Sequence, residues 1–324
     1  MTPREETAAH SPRKVLLTIP THKTSSHQAC FQKYLKIKRS ELIKLIAFGY
    51  DQHPRMHSKA SYHRMPELEV FLINLDRSEE RLKSATIELN RVGISFTRVT
   101  AVDGSLLNLN ESSDYYEKGA KSWFGRPLTN GEVGCYLSHV KCLRLFLAGD
   151  KKYALILEDD IALSNNASDI WKETEKHLDN SKLQDWWLIN LGKAPHKLFS
   201  KVVPLHSGNS NWICRSHYYS FGTHALLWSR SGAEAALKDC LPIISPVDVF
   251  FRDWNFRKDR CFALLEPPFT VSGAESEIEK ANQASVSRKR RERFLSRQRR
   301  RLLGKSAMYK NIVKFHIRKF FDTK

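Results

Sequence analysis

The chain has 324 residues, of which 41% are hydrophobic and 27% are charged, and its formal net charge at pH 7 is +18. This length and apolar content exclude a wholly disordered chain and are sufficient for one large α/β domain or two smaller ones. The charge is uneven: residues 1–66 carry 12 Lys/Arg and 4 acids, residues 281–324 carry 15 and 2, and residues 67–280 retain a net charge of about −3. We therefore expect a basic, loosely ordered extension over 1–66, a globular domain over 67–280 and a basic tail over 281–324.

The cysteines and the hydropathy pattern place the chain in a broad class. Its six cysteines include no CxxC pair and no zinc-ligand spacing, so we expect reduced residues that pack in the interior. The first residues lack the pattern of a signal peptide, and no run of about 20 apolar residues is long enough to span a bilayer. These features predict a cytoplasmic protein.

The ordered part of the chain is predicted to begin with a strand, a helix and a second strand. The strand covers 68–75, Asp76 and Glu79 have the spacing of a capping box for the helix, and the second strand covers 96–102. Asp103 follows that strand, as either a ligand for a nucleotide or a turn-capping residue beside a glycine. A strand–helix–strand opening is typical of nucleotide-binding folds.

The most informative segment runs from Tyr153 to Asp160. A helix with a Thr129–Glu132 capping box leads into the apolar run YALIL, which stops abruptly on Glu158, Asp159 and Asp160. An apolar run without alternation predicts a strand buried on both faces of a parallel α/β sheet, and ligands of such sheets bind at the carboxyl ends of the strands. Three adjacent carboxylates repel one another, and a hard divalent cation would relieve that repulsion. A solvated corner between strand and loop remains the alternative.

Five motifs occur in the order in which glycosyltransferase family 25 has them, and the chain resembles that family over roughly residues 68–270. This family includes bacterial lipopolysaccharide galactosyltransferases and collagen-modifying domains. The motifs are LINLDR with a following ER pair, the segment Val99–Gly104, LTNGEVGCYLSH, ALILEDDI and SPVD. The resemblance implies an α/β, GT-A-like fold with a mostly parallel central sheet, together with inverting transfer of a hexose, typically galactose from UDP-galactose.

The resemblance also suggests roles for the acids. Asp160 and Glu158 are the candidate ligands of a divalent metal, Mn²⁺ or Mg²⁺, and Asp159 or Glu158 is the candidate partner of the ribose or of metal-bound water. Asp248 is the candidate catalytic base because it follows a proline-stiffened loop, and its alternative role is to cap the helix that begins there.

The remaining candidate site residues are polar or basic and would bind the nucleotide sugar. Asn74 and Arg77 stand where the first strand meets its helix, and Arg81 follows one turn later. Arg77 is equally consistent with a surface arginine, and Arg81 with a partner for a neighbouring acid. Ser138 and His139 precede the acidic strand and are candidate sugar or phosphate contacts, although a lone helical histidine more often satisfies a structural role.

The carboxyl-terminal tail has the pattern of a helix that lies in a membrane interface. Lys310, Lys314 and Arg318 form a basic stripe beside one broad apolar arc. The arc consists of Met308, Tyr309, Ile312, Val313, Phe315, Ile317, Phe320 and Phe321. We expect the tail to bind an anionic membrane surface, and a solvated basic tail is the alternative.

These observations predict a peripheral membrane enzyme on the inner face of the cytoplasmic membrane. It would transfer a hexose from a UDP-sugar to a lipid-linked oligosaccharide of lipopolysaccharide. A collagen-modifying role is disfavoured because the chain has no secretory signal and no retention tetrapeptide. The alternatives are a transferase-like scaffold without activity and a nucleic-acid-binding protein, and the slightly acidic middle of the chain argues against nucleic acid.

Overall fold

The structure is a computed structural model that describes residues 67–183, 185–207, 211–273 and 290–322. The predicted extension over 1–66 lies outside the described residues. In the described part the strands are β1 Leu68–Asn74, β2 Thr97–Thr100, β3 Tyr153–Glu158, β4 Ile161–Leu163, β5 Leu188–Asn190, β6 Phe199–Pro204, β7 Trp212–Ser216, β8 Ala225–Ser229, β9 Cys261–Leu264 and β10 Phe269–Val271. The α-helices are α1 Glu79–Arg91, α2 Glu117–Trp123, α3 Asn130–Ala148, α4 Ala167–Lys176, α5 Arg230–Asp239, α6 Val247–Lys258 and α7 Arg290–Asp322.

Eight of these strands form one sheet in the order β2-β1-β3-β8-β5-β9-β7-β6. The pairings β1–β2, β1–β3 and β5–β9 are parallel, and the four others are antiparallel. As a result, six of the eight strands run in one direction, while β7 and β8 run in the other. The predicted α/β fold with a mostly parallel central sheet is confirmed, with two reversed strands inserted in its second half.

Strand β3 lies in the middle of the core, as its unbroken apolar run predicts. Leu155, Ile156 and Leu157 are fully buried. Successive side chains of a strand point to opposite faces. Ala154 and Ile156 accordingly pack with residues of α3, α5 and α6, whereas Leu155 and Leu157 pack with residues of α1 and α4. Helices therefore cover both faces of the described sheet around β3, and ligands of such sheets bind at the strand ends.

The two predicted capping boxes have different outcomes. Helix α3 begins with the predicted box, in which Thr129 accepts a hydrogen bond from the Glu132 amide and the Glu132 side chain accepts one from the Thr129 amide. The predicted box at α1 is wrong, because the residue that caps this helix is Ser78, without a side-chain hydrogen bond. Asp76 is instead paired with Arg98 of β2. The arginine on the adjacent strand competes successfully for the carboxylate.

Helix α7 lies against the domain. Met308 is buried against Tyr218 and Phe256, and Asn311 Nδ2 donates a 3.2 Å hydrogen bond to the Phe256 carbonyl at the end of α6. Among the described helices, none combines the length and the apolar character that crossing a bilayer requires. The predicted apolar arc of the tail is therefore divided, because Met308 faces the domain and Tyr309 faces solvent.

Candidate active site

Polar residues from five elements meet at one edge of the sheet. The parallel strands β1, β2 and β3 end there, and the reversed strand β8 begins there, directly beside the end of β3. The backbone amide of Glu158 donates to the His224 carbonyl over 3.0 Å, which joins the two strands at this edge. Helix α3 passes over the same edge and contributes His139. The fold thereby brings the predicted acids, Asn74 and His139 together.

Glu158 is held in its ionised form by two side chains. Thr223 Oγ1 donates to Glu158 Oε1 over 2.5 Å, and His139 Nε2 lies 3.0 Å from the same oxygen. Burial opposes ionisation, but the His139 contact and the Thr223 hydrogen bond outweigh it, so the pKa of Glu158 lies below its usual value. A carboxylate can only accept hydrogen bonds, so His139 donates through Nε2. The buried Nδ1 of His139 then has no partner among the described residues.

Asp159 connects β3 to β1 and its helix. Its Oδ2 accepts a 2.7 Å hydrogen bond from Asn74 Nδ2, and its Oδ1 forms a 2.7 Å ion pair with Arg81. The Oδ1 of Asn74 in turn accepts from Arg98 Nε at 3.0 Å. Burial raises the pKa of Asp159 even though Asn74 and Arg81 counteract it. Both oxygens are engaged within the protein, which makes Asp159 a residue that holds the strand ends together.

The environment of Asp160 differs from that of Asp159. Its Oδ2 lies 3.4 Å from Arg81, but its Oδ1 is buried and has no hydrogen-bond partner in the described part of the chain. Burial and the negative charge of Glu158 raise the pKa of Asp160 to about 6. A buried carboxylate oxygen without a donor is costly unless a cation or ligand satisfies it. Asp160 therefore fits the predicted role of a metal ligand, with Glu158 beside it.

A second donor set shares Glu158 and was not predicted from the sequence. One ligand atom from each of Cys135, His139 and Glu158 can lie within 4.8 Å of the other two. Burial raises the pKa of the Cys135 thiol, and Glu158, Asp248 and Asp160 raise it further by their negative charge. In the sequence, this set could have been recognised from the four-residue spacing of Cys135 and His139, which places them one helical turn apart on α3. Sulfur and imidazole donors favour zinc, whereas the carboxylate pair favours Mn²⁺ or Mg²⁺.

The two polar residues after β1 and β2 pair with each other. Arg77 forms an ion pair with Asp103, and Asp103 also accepts from the amide and hydroxyl of Ser105. The Ser105 hydrogen bonds, followed by Arg77, lower the pKa of Asp103. Asp103 thus caps the short 3-10 turn Gly104–Leu106, which is the second of the two roles predicted for it from the sequence. Arg77 remains about half exposed at the rim of the site.

Ser138 lies behind the site. Its Oγ accepts from the Val102 amide at 2.8 Å and donates to the Gly134 carbonyl at 2.7 Å. The residue is 1% exposed, so in this arrangement its hydroxyl joins α3 to the segment after β2.

Asp248 lies in the first turn of α6, which packs on α3. Its Oδ1 accepts the amide of Val249 at 2.7 Å, and the cap position belongs to Pro246. One turn later, the ring of Phe251 meets the ring of His139 edge to face at 6.3 Å, so this face of α6 is turned toward the site. Burial raises the pKa of Asp248 to about 6, the Val249 amide and Arg252 oppose the shift, and Glu158 adds to it. Asp248 is therefore within electrostatic range of the acidic strand end.

His224 belongs to neither of these two donor sets. The Nε2 atom lies 3.0 Å from the Gly192 carbonyl, to which it donates. Burial lowers the pKa of His224. Gly192 is required for this close packing, because a Cβ there would come within 2.2 Å of the His224 ring.

Comparison with known proteins gives a consistent result. The model of glycosyltransferase family 25 (LPS biosynthesis protein) matches residues 67–251. Procollagen galactosyltransferase 1-B of Xenopus laevis is 33% identical over 190 residues, which are 56% of this chain and 30% of that protein. The probable inactive glycosyltransferase 25 family member 3 of Bos taurus is 29% identical over 237 residues, which are 69% of this chain and 38% of that protein. The chain thus spans about a third of the length of these curated relatives.

Among solved structures, a glycosyltransferase involved in the glycosylation of the major capsid of PBCV-1 matches 68% of this chain and 100% of that chain. The identity is 10% and the TM-score is 0.36, a likeness too low to support an argument.

Proposed function

The chain belongs to glycosyltransferase family 25, and we propose that it transfers galactose from UDP-galactose to a hydroxyl of a lipopolysaccharide core oligosaccharide, with inversion. The observation that carries the proposal is that Glu158 and Asp160 stand at and just after the open end of β3, and that the carboxyl of Asp248 in the first turn of α6 interacts electrostatically with Glu158. A glycosyl transfer with inversion requires charge compensation at the diphosphate and a base for the acceptor hydroxyl. The site supplies groups suited to both.

The donor side of the proposal rests on β1, β3 and α1. Arg77 at the rim has a guanidinium within reach of solvent that can pair with a phosphate oxygen. Arg81 is anchored by Asp159 beside Asp160 and adds positive charge where the acids converge. A divalent cation held by Asp160 and Glu158 would neutralise the charge that develops on the diphosphate leaving group. Asn74 positions Asp159 and through it Arg81.

Asp248 is the proposed base on the acceptor side. A base works best when its pKa lies near the working pH, and the raised pKa of Asp248 brings it toward that range. The ionised carboxylate would accept the proton of the attacking hydroxyl while that oxygen bonds to the anomeric carbon and UDP departs from the opposite face. The Val249 amide fixes the carboxylate orientation.

Two kinds of acceptor are suggested by the comparisons, one by the family description and the other by the names of curated relatives. The matching family model is described as an LPS biosynthesis protein, whereas curated relatives are named procollagen galactosyltransferases. We favour the lipopolysaccharide acceptor because the chain also carries the basic apolar helix described below, which suits a substrate embedded in a membrane.

Calorimetry of UDP-galactose, UDP-glucose and UDP, with Mn²⁺ and then with a chelator, tests the donor site. Metal-dependent UDP binding with a preference for the galactose donor is expected. Transfer is then measured on a lipopolysaccharide core oligosaccharide and on a procollagen peptide. Transfer to the peptide alone would overturn the acceptor, and failure of UDP to bind under either condition would overturn the donor site.

A scaffold without activity is the second candidate, because relatives at 29% and 32% identity are named as inactive members. Donor binding without donor hydrolysis or transfer to either acceptor would favour that candidate.

A further inference from the structure

Helix α7 has one face that packs on the domain. Gly304 lies so close to the Phe256 ring that a Cβ would come within 2.5 Å of it, and Met308 is 3% exposed. Further along, the Phe315 ring meets the His217 ring edge to face at 5.6 Å. Gly304, Met308, Asn311 and Phe315 follow each other at helical spacing, so they define the inner face of α7.

The opposite face of α7 is also apolar, and it is exposed. With 100° of rotation per residue, its six side chains fall within a narrow arc centred about 180° from the inner face. We call these six residues the outer stripe, and each is 52–67% exposed. The outer stripe consists of Leu295, Leu302, Tyr309, Val313, Ile317 and Phe320. The stripe extends for about 38 Å along the helix, and more than half of the surface of each of its side chains is exposed to solvent.

Cations flank the outer stripe and acids are absent beside it. Residues 294–321 include nine Lys/Arg and no Asp or Glu. Lys305 projects along one side of the stripe, and Lys310 and Lys314 project along the other, all exposed. Long basic side chains on both flanks of an apolar stripe can reach phosphate groups while the stripe enters the acyl region.

We propose that the outer stripe binds the surface of an anionic phospholipid bilayer, with α7 lying in the plane of the interface and the domain held on its inner face. A second copy of the chain is a poorer occupant, because two such stripes would bring together the lysines that flank each of them, without acids to pair with. A nucleic acid would use the cations but would leave the apolar side chains without a partner.

The position of the membrane relative to the active site follows from the packing of α7 on the domain. Helix α7 packs on α6, and the first turn of α6 carries Asp248. The charge of Arg300, on the inner side of α7, is within electrostatic range of Asp248. A bilayer on the outer stripe therefore lies on the side of the domain that carries the proposed base. This last step, delivery of a lipid-anchored acceptor to Asp248, rests on the proposed function, whereas the binding of α7 to lipid does not.

Sedimentation of the full chain with vesicles tests the proposal, with no donor or acceptor present. The vesicles contain either phosphatidylcholine alone or phosphatidylcholine with phosphatidylglycerol. The wild-type protein is expected to sediment with the anionic vesicles and to bind the neutral vesicles at least about tenfold more weakly. Ile317→Glu is expected to weaken binding to the anionic vesicles by about tenfold or more. The matched control is Ile87→Glu on α1, which places the same charge at a similarly exposed isoleucine and should bind as the wild type does.

A second variant separates lipid binding from general attraction to polyanions. Lys310→Gln with Lys314→Gln should weaken vesicle binding about fivefold per lysine at low salt. If this pair of changes weakens binding but Ile317→Glu does not, the outer stripe takes no part and the proposal is wrong. The proposal is also overturned if the wild-type protein does not bind anionic vesicles and Ile317→Glu converts a dimer into a monomer in analytical ultracentrifugation. Both results are independent of transferase activity, so they are distinguishable from a failure of the proposed function.

Discussion

Replacement of Asp248 by asparagine should remove activity and at the same time stabilise the protein. Burial raises the pKa of this carboxyl from 3.8 to about 6, and nearby Glu158 contributes to the shift. Asparagine keeps the shape and the acceptor oxygen for the Val249 amide but carries no charge and cannot accept a proton from the acceptor hydroxyl. If Asp248 is the base, turnover should fall by about 10² to 10⁴-fold.

The sign and size of the stability change follow from the same pKa. Because the folded protein binds this proton more tightly than the unfolded chain, the associated stability is present below pH 3.8 and is lost as the pH rises through about 6. A shift of about two pKa units corresponds to about 3 kcal/mol, and partial exposure of the side chain reduces this to about 2 kcal/mol. The variant should therefore match the wild type near pH 4 and exceed it by about 2 kcal/mol at pH 8.

Urea unfolding at pH 4 and pH 8 measures this difference, and transfer or donor hydrolysis measures turnover. The matched control is Asp253→Asn on the same helix. The Asp253 carboxylate accepts from Trp123 Nε1 at 2.9 Å and pairs with Arg252, so that variant should lose stability and keep its turnover. An Asp248→Asn protein that is less stable than the wild type at pH 8, or that keeps its turnover, would refute the reasoning.

Three further predictions concern individual residues. Asp160→Ala should bind UDP with the same affinity in Mn²⁺ and in chelator, and calorimetry that still shows a metal effect would remove Asp160 as a ligand. Thr223→Val should raise the pKa of Glu158 and lower the free energy of unfolding by about 1–2 kcal/mol, because a buried carboxylate loses a hydrogen-bond donor. An unchanged pH profile of UDP binding would contradict this prediction. Gly232→Ala should destabilise the protein by about 1–3 kcal/mol despite the helix preference of alanine, because the new Cβ would lie 2.2 Å from the Trp187 carbonyl oxygen. Thermal unfolding at or above the wild-type temperature would show that α5 can shift to make room.

Several features could be predicted from local patterns, and the structure has them. The apolar run before Glu158 predicts a buried strand that ends on acids, and β3 is that strand. Thr129 and Glu132 predict a capping box, and α3 begins with it. Such features depend on residues within one strand or one helical turn, so the sequence contains the whole cause.

Other features depend on residues that are distant in the chain. Asn74 and Asp159 are separated by 85 residues, and their hydrogen bond decides that Asp159, the central acid of the triplet, is engaged inside the protein. Thr223 was missed for the same reason, because nothing near it in the sequence indicates that β8 begins beside the end of β3. The incorrect cap at Asp76 arose because Arg98 approaches from the neighbouring strand.

The sequence by itself determined the class of the fold, the edge at which the acids meet and the family to which the chain belongs. The tertiary structure decided which acid is left without a partner and which side of α7 faces solvent. Burial and partners in space set the pKa of Asp160 and Asp248, since the cost of a charge depends on everything that surrounds it. The apolar arc of the tail is continuous in the sequence, and only packing on the domain divides it, because Met308 lies against Tyr218 and Phe256 whereas Tyr309 faces solvent.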